Sequence, residues 1–298
     1  MKKWVSNCPG TIYYRYTTIR IRIVRLFHNV FAVVENKVGI AASVVNSTNP
    51  TFLYTSQQLN FTVNYTGLQI YNPVRDTRVY VTQNQDPNSR RNFTPTFVRQ
   101  NQLVYGNGSD NIFNGLSPFR NFQCSSLVYY TRYVKDVLKG PEGRYNFILV
   151  PGTVPQRYIP TPDRGGNFYI EAENVQNSDL EADYIVAHFA ILYPEPIPGA
   201  EVYIYGKFAD WQLLPELKMD YDAKNKAYVG QAELKQGYYD YMFAVVPSKE
   251  KKPDLVTMQN NFYQTPDEYN IRFYMYDYNV MCFRLLGYQT VGAKPMGS

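Results

Sequence analysis

Residues 202–246, VYIYGKFADWQLLPELKMDYDAKNKAYVGQAELKQGYYDYMFAVV, contain runs in which apolar and polar side chains alternate. At its start Val202 and Ile204 alternate with Tyr203, the period of two that suits a half-buried β-strand. Residues 222–226 have the composition of a hairpin loop, because Asp and Asn adopt turn conformations readily. The stretch predicts four strands, which is about half of a β-sandwich.

The same alternation recurs from about residue 32 to the end of the chain. It is clearest in 58–67 (QLNFTVNYTG) and in 182–193 (ADYIVAHFAILY), and turn residues punctuate the chain about every ten residues. Helical spacing occurs only over 125–140, a segment rich in Tyr and Val, which favour strands. The chain is therefore predicted to be all-β.

Length and turn content predict how the strands are divided. A chain of 298 residues is long enough for about two domains, and its densest run of Pro and Gly, residues 151–167, is either a linker or a long loop. We predict two immunoglobulin-like β-sandwich domains in tandem, residues 32–170 and 171–298. They follow an atypical basic segment, residues 1–31.

The net charge of +5 is concentrated at the start of the chain. Residues 1–30 carry six bases and no acid, while the remaining 268 residues carry 24 bases and 25 acids. A nucleic-acid-binding domain carries its basic surface on the folded domain itself. The distribution therefore predicts no nucleic-acid partner.

Cysteine spacing and hydropathy give further expectations. Cys8, Cys124 and Cys282 are far apart in the sequence, so at most one disulfide bond can form and the common local zinc spacings are excluded. No segment reaches the ~20 apolar residues of a transmembrane helix, so no membrane insertion is predicted. The first ten residues, MKKWVSNCPG, are basic but lack the apolar core of a signal peptide.

The opening stretch resembles the starch- and glycogen-binding sandwich modules that accompany amylolytic enzymes. The resemblance implies that the second domain is a sandwich of the E-set, glycogen-binding-module type. The matching residues are Gly206, Phe208, Trp211, Leu234, Gly237, Tyr241 and Phe243.

The sugar site of those modules is matched only in part. Trp211 fits one aromatic platform, Met242 stands where the family has a lysine, and the next loop, PSKEKKPDL (247–255), lacks the second tryptophan. Sugar rings stack on aromatic faces, so an α-glucan-binding protein that uses Trp211, Tyr239 and Tyr241 is the alternative hypothesis for this chain.

Six segments, in order, resemble the Bacteroidetes family of type IX secretion system plug proteins over about residues 32–298. The resemblance implies a non-enzymatic periplasmic protein at the inner face of the outer membrane. It would bind the large outer-membrane translocon β-barrel and close its periplasmic opening. The segments are NPVRDTRVYVTQN (72–84), FRNFQCSSLVYYTRYVKDV (119–137), EADYIVAHFAIL (181–192), YGKFADW (205–211), LKQGYYDYMF (234–243) and NNFYQTPDEYNIRFYMYD (260–277).

Residues 1–31 depart from that family, whose members begin with a signal peptide and a further upstream domain. Two hypotheses account for them. They are a truncated or mis-framed remnant, or they form a divergent basic strand over 18–26 (TIRIRIVRL) with Arg facing water.

The sequence contains few candidate catalytic residues. Of the two histidines, His28 lies in the atypical segment and His188 lies within a predicted strand, where it is interpreted as structural. Asp220 and Asp222 share one face of a predicted strand, which is typical of a solvated surface. No catalytic, cofactor-binding or metal-binding residue is predicted.

Overall fold

The computed structural model describes residues 2–5, 11–17, 26–106, 108–129, 131–140, 143–250 and 252–293, with side chains from residue 32 onward. The described chain is all-β, as predicted. Its α-helices are three single turns, α1 (Pro73–Asp76), α2 (Ser178–Glu181) and α3 (Val256–Gln259), and short 3-10 helices lie at Pro50–Phe52, Pro87–Ser89, Ser109–Asn111, Lys207–Ala209 and Pro215–Leu217. The strands are β1 (Lys2–Val5), β2 (Thr11–Thr17), β3 (Leu26–Ala32), β4 (Gly39–Asn46), β5 (Ser56–Asn64), β6 (Thr77–Gln83), β7 (Arg91–Phe93), β8 (Phe97–Arg99), β9 (Gln102–Tyr105), β10 (Ile112–Asn114), β11 (Arg120–Gln123), β12 (Val134–Lys139), β13 (Tyr145–Leu149), β14 (Phe168–Ile170), β15 (Tyr184–Leu192), β16 (Ala200–Tyr205), β17 (Lys218–Asp222), β18 (Ala227–Lys235), β19 (Gly237–Pro247), β20 (Glu268–Asp277) and β21 (Cys282–Gly292).

The first three strands form a small antiparallel sheet in the order β1-β2-β3. This sheet lies within the segment that the sequence marked as atypical. The basic strand proposed for 18–26 falls almost entirely on residues 18–25, which lie outside the described residues.

Two sheets enclose one apolar core. One sheet contains β4, β5, β8, β9 and β10, and the other has the order β21-β20-β6-β7. Their strands alternate as a half-buried strand must, so that Leu59, Phe61 and Val63 of β5 are all buried. They share a cluster with Tyr269 and Ile271 of β20. We name this part the first sandwich.

The remaining nine strands form a separate sheet. Its order is β11-β19-β16-β17-β18-β15-β13-β12, and β14 also pairs with β19. Although β11 and β15 are far apart in that order, the rings of Phe122 and Phe189 lie 5.7 Å apart in one core cluster. The sheet therefore folds over its own core. We name this part the second sandwich.

The pairing crosses the position at which the sequence predicted a boundary, between residues 170 and 171. Strand β6 pairs with β20, with Val81 opposite Ile271, so the first sandwich takes strands from both ends of the chain. Strands β11, β12 and β13 join the second sandwich instead. Alternation shows which side of a strand is buried, but not which distant strand is its neighbour.

Local predictions from the opening stretch are confirmed. Residues 202–246 contain four strands, β16 to β19, and the predicted hairpin is present with Asp222 opposite Ala227. The helical spacing over 125–140 does not give a helix among the described residues of that segment. Val134–Lys139 is strand β12, whose backbone pairs with β13, and its Val residues favour strands.

The run of Pro and Gly at 151–167 is a long loop that packs against the second sandwich. Gly152 pairs with Ile191 of β15, and Asp163 accepts a hydrogen bond from the Phe119 amide over 2.8 Å.

Two of the cysteines are buried, Cys124 and Cys282, and the Cys124 thiol donates to the Gly237 carbonyl over 3.4 Å. Cys8 lies outside the described residues. No helix in the described part of the chain has the length and hydrophobicity needed to span a bilayer.

Candidate partner-binding surface

The aromatic residues of the glycan hypothesis are buried. Trp211 is 5% exposed, Tyr239 2% and Tyr241 7%. Tyr239 and Tyr241 belong to the core of the second sandwich, whereas Trp211 belongs to a separate small cluster. The structure therefore does not bring the three rings together, and none of them offers an open face on which a sugar could stack.

Trp211 is covered by the loop that follows β13. Its ring lies 5.3 Å from that of Tyr205 and 6.3 Å from that of Phe119. Gly166, at φ +83°, closes the cluster, since a Cβ there would lie 2.8 Å from Phe119 Cζ and 3.2 Å from Trp211 Cη2. Only glycine allows the backbone to approach this closely in this conformation.

The neighbours of Trp211 also join the two sandwiches. Tyr205 Oη donates to Asp86 Oδ2 over 2.8 Å, and Asn88 Nδ2 lies 2.8 Å from both Tyr205 Oη and the Trp211 carbonyl. Asp86 and Asn88 belong to the turn between β6 and β7. The aromatic ring that resembles a sugar platform therefore lies at the junction between the two sandwiches.

Two buried carboxylates near this junction have raised pKa values. Burial raises the pKa of Asp267 to about 7, although Asn84 Nδ2 and Gln83 Nε2 donate hydrogen bonds that favour its charged form. Burial raises the pKa of Asp240 to about 6, against donation from the Tyr238 hydroxyl and two backbone amides. The hydrogen bonds to each carboxylate connect a loop to a strand.

The other titratable candidates have structural surroundings. His188 Nε2 lies 2.8 Å from Asn146 Oδ1 on the neighbouring strand, and burial lowers the pKa of the imidazole. Asp222 accepts hydrogen bonds within its own hairpin loop, which lower its pKa. Among the described residues no group of three or more His, Cys, Asp or Glu side chains is arranged to hold a metal ion.

A group of large apolar side chains is exposed at one end of the second sandwich. Val128 is 73% exposed, Tyr129 77%, Leu180 79% and Tyr184 53%. They belong to the loop after β11, to α2 and to the first residue of β15. We name this group the apolar end. Clustered apolar side chains on a protein surface mark interaction sites more often than scattered ones do.

Gln236 holds these segments together. This buried residue lies in the turn between β18 and β19, and its Nε2 donates to the Ser125 carbonyl over 3.0 Å. Its Oε1 accepts from the Asp183 amide over 3.1 Å, and its own amide donates to the Asp183 carbonyl over 2.9 Å. The loop that carries Tyr129 and the strand that carries Tyr184 are thereby fixed to one turn.

The surroundings of the apolar end are acidic. The segment 171–183 contains five acids and no base, and all five are exposed. Lys235 is the nearby cation, with Nζ 2.6 Å from the Asp179 carbonyl and 5.7 Å from the centre of the Tyr184 ring. An apolar centre with a charged rim is the usual composition of a protein-binding surface, and here the rim would favour a basic partner.

Sequence reasoning did not identify the apolar end. Val128 and Tyr129 lie in the segment with helical spacing, and Leu180 has no alternating neighbours that mark it as exposed. The sequence nevertheless contained a signal that could have identified this surface. Three of the six segments that carry the family resemblance, 119–137, 181–192 and 234–243, contribute Tyr129, Tyr184 and Gln236 to this one end.

Comparison with known proteins gives a structural likeness. No family model and no curated protein matches the chain. The chain is similar to the crystal structure of a hypothetical protein from Parabacteroides merdae ATCC 43184, with 28% identity and a TM-score of 0.84. The alignment covers 90% of this chain and 68% of that one. The two chains share the all-β architecture over nearly the whole of the chain described above.

Proposed function

We propose that this chain is a non-enzymatic plug protein of a type IX secretion system, which binds the large outer-membrane translocon barrel and closes its periplasmic opening. The proposal includes a periplasmic location at the inner face of the outer membrane. It also includes two immunoglobulin-like sandwiches, the second of the E-set type. It rests on the six-segment resemblance together with the apolar end.

The observation that carries the proposal is the convergence of three of those segments at the apolar end. Val128, Tyr129, Leu180 and Tyr184 are exposed at one end of the second sandwich, and Tyr at an interface buries a large area at low entropic cost. Because Gln236 fixes the segments beneath it, the surface is ready to bind without prior ordering.

The junction between the sandwiches supports occlusion as the mechanism. A plug must behave as one wide body that a pore cannot admit. Asp86 and Asn88 of the first sandwich hydrogen-bond to Tyr205 and to the Trp211 carbonyl of the second. The Tyr205–Asp86 hydrogen bond is buried, and a buried contact resists independent movement of the two sandwiches, so they would dock and leave as a unit.

Affinity capture from detergent-solubilised outer membranes tests the proposal. The 298-residue chain is immobilised, and retained proteins are identified by mass spectrometry. We expect one very large β-barrel protein to be retained. Recovery of no barrel, with the bait folded by circular dichroism, would contradict the proposal.

The glycan alternative is tested alongside with starch and glycogen beads. It requires an open aromatic face at Trp211, and the burial of this ring under the loop containing Gly166 leaves the alternative without such a face. Retention on the beads that soluble glucan competes away would restore it.

A further inference from the structure

A pocket of about 340 Å³ lies on the second sandwich, and none of its lining residues belongs to the apolar end. The start of β11, the segment before β12 and the loop after β13 form its walls. This volume is within the range of small-molecule sites. The apolar lining includes Pro118, Phe119, Val150, Pro151, Ile159 and Phe262.

The charged residues that line the pocket are all cationic. Arg120, Arg132 and Arg157 all line it, and no Asp or Glu is among its described lining residues. None of the three takes part in the ion pairs found among the described residues. Three guanidinium groups without a carboxylate partner give the pocket a positive potential, and its apolar walls strengthen the field.

Arg120 is the most enclosed of the three arginines. One terminal nitrogen, Nη2, donates to the Thr153 carbonyl over 2.7 Å, and the guanidinium lies 5.4 Å from the centre of the Phe243 ring. Its Nε is buried and has no hydrogen-bond partner among the described residues. A buried N–H left unpaired destabilises the folded chain, and a bound acceptor would remove that cost.

Gln259 presents a second unpaired donor at the same pocket. The residue is fully buried, its Oε1 accepts from Ser117 Oγ, and its Nε2 has no partner among the described residues. Charged and neutral donors are thus both unpaired, while the apolar walls would hold a hydrophobic body. This combination favours a ligand with acceptor oxygens at one end.

Gly152 creates the space that Arg120 occupies. A Cβ at this position would lie 2.6 Å from Arg120 Nη1, closer than atoms can approach. The absence of a side chain therefore lets the guanidinium lie across the loop and face the pocket.

We propose that this pocket binds a small organic anion, a carboxylate on an apolar body, with Arg120 and Gln259 donating to its oxygens. Arg132 and Arg157 at the exposed side attract the anion. An arginine and a carboxylate form strong charge-assisted hydrogen bonds, which are stronger away from water. Either a free small acid or the carboxyl terminus of a peptide carries this chemistry.

Isothermal titration of the full chain with N-acetylphenylalanine tests the proposal. The matched ligand is the amide of the same compound, which keeps the apolar body and removes the charge. We expect the acid to bind and the amide to bind at least about tenfold more weakly. Equal affinities for the acid and the amide would overturn the proposal.

Variants locate the site. Arg120→Met is expected to weaken acid binding at least about tenfold, whereas Arg99→Met on the edge strand β8 should leave it unchanged. Should Arg120→Met fail to fold, the double variant Arg132→Met with Arg157→Met changes only exposed side chains and should weaken binding about threefold or more. Unchanged affinity in the folded variants would overturn the proposal.

A peptide that ends in phenylalanine separates the two sources of the carboxylate. Tighter binding of its free-terminus form than of its amidated form and of the small acid would identify a chain terminus as the ligand. Binding of the small acid alone would identify a free metabolite-sized anion. Failure of both to bind would overturn the proposal without touching the plug function, which uses a different surface.

Discussion

Gln236 Nε2 donates a hydrogen bond to the Ser125 carbonyl over 3.0 Å, and this contact fixes the loop that carries Val128 and Tyr129 to the turn between β18 and β19. The same side chain accepts from the Asp183 amide. One buried amide group therefore positions both halves of the apolar end.

Gln236→Leu should lower the free energy of unfolding by about 2 kcal/mol, because the Asp183 amide and the buried Ser125 carbonyl each lose a hydrogen bond. Urea denaturation measures the change. Gln212→Leu, which alters an exposed residue, is the control and should change stability by less than about 0.5 kcal/mol. Equal effects of the two substitutions would show that Gln236 does not hold the segments together.

Gly166→Ala should destabilise the protein by more than Gly143→Ala. Both glycines have nearly the same backbone conformation, with φ +83° and +82°, but a Cβ at Gly143 meets nothing within 4 Å. We expect the substitution at Gly166 to cost at least about 1 kcal/mol more, since its Cβ would overlap Phe119. Thermal or urea unfolding of the pair gives the comparison. A difference near zero would mean that the loop does not press on the Trp211 cluster.

Trp211→Ala should lower the unfolding free energy by about 3–5 kcal/mol, as removal of a buried aromatic ring does. Trp211→Phe should cost much less, because it keeps most of the apolar ring and removes an indole N–H that has no partner among the described residues. Denaturation curves of both variants measure the effect. A ring that serves as a sugar platform would instead tolerate alanine with little loss of stability.

The titration of Asp267 should lower the free energy of unfolding as the pH rises. Its folded-state pKa of about 7 lies above the ordinary value of 3.8, so between these values the folded chain binds more protons than the unfolded chain. Asp267→Asn removes this titration, and the stability of the variant relative to the wild type should rise by about 2–4 kcal/mol from pH 4 to pH 8. Urea denaturation across this range provides the values.

The matched control for this titration is Asp210→Asn at an exposed position. Because the pKa of His188 is lowered in the folded chain, its titration raises the free energy of unfolding as the pH rises, opposite to the effect of Asp267. This contribution is the same in variant and wild type, so it cancels when the two are compared. A stability difference that stays constant with pH would contradict the assignment to Asp267.

Local pattern predicted the strands well, and distant pairing not at all. The alternation over 202–246 gave four strands and one hairpin, because a short loop leaves adjacent strands a single way to pair. The alternation in 77–83 is just as regular, yet nothing local indicates that β6 pairs with β20 nearly two hundred residues later. Which distant strands pair in a sheet depends on the packing of the whole core.

The candidate site shows the same division. Trp211 matched a sugar-platform position in the sequence, but its exposure depends on Gly166, which lies in a distant loop. The sequence predicted no role for Gln236, whose importance arises from its hydrogen bonds to Ser125 and Asp183 in other segments. A sequence indicates which chemical groups are present, whereas the burial and the hydrogen-bond partners of each group depend on the folded chain.

Quantitative capture of the translocon barrel by paired surface variants measures whether the apolar end binds the barrel. One bait carries Tyr129→Ser and Leu180→Ser in the apolar end, and the other carries Tyr71→Ser and Met281→Ser, which change similarly exposed side chains elsewhere. We predict that the first bait retains at least about tenfold less barrel than the wild type and that the second retains the wild-type amount. Equal retention by the two baits, or capture of no barrel by the wild type, would contradict the account.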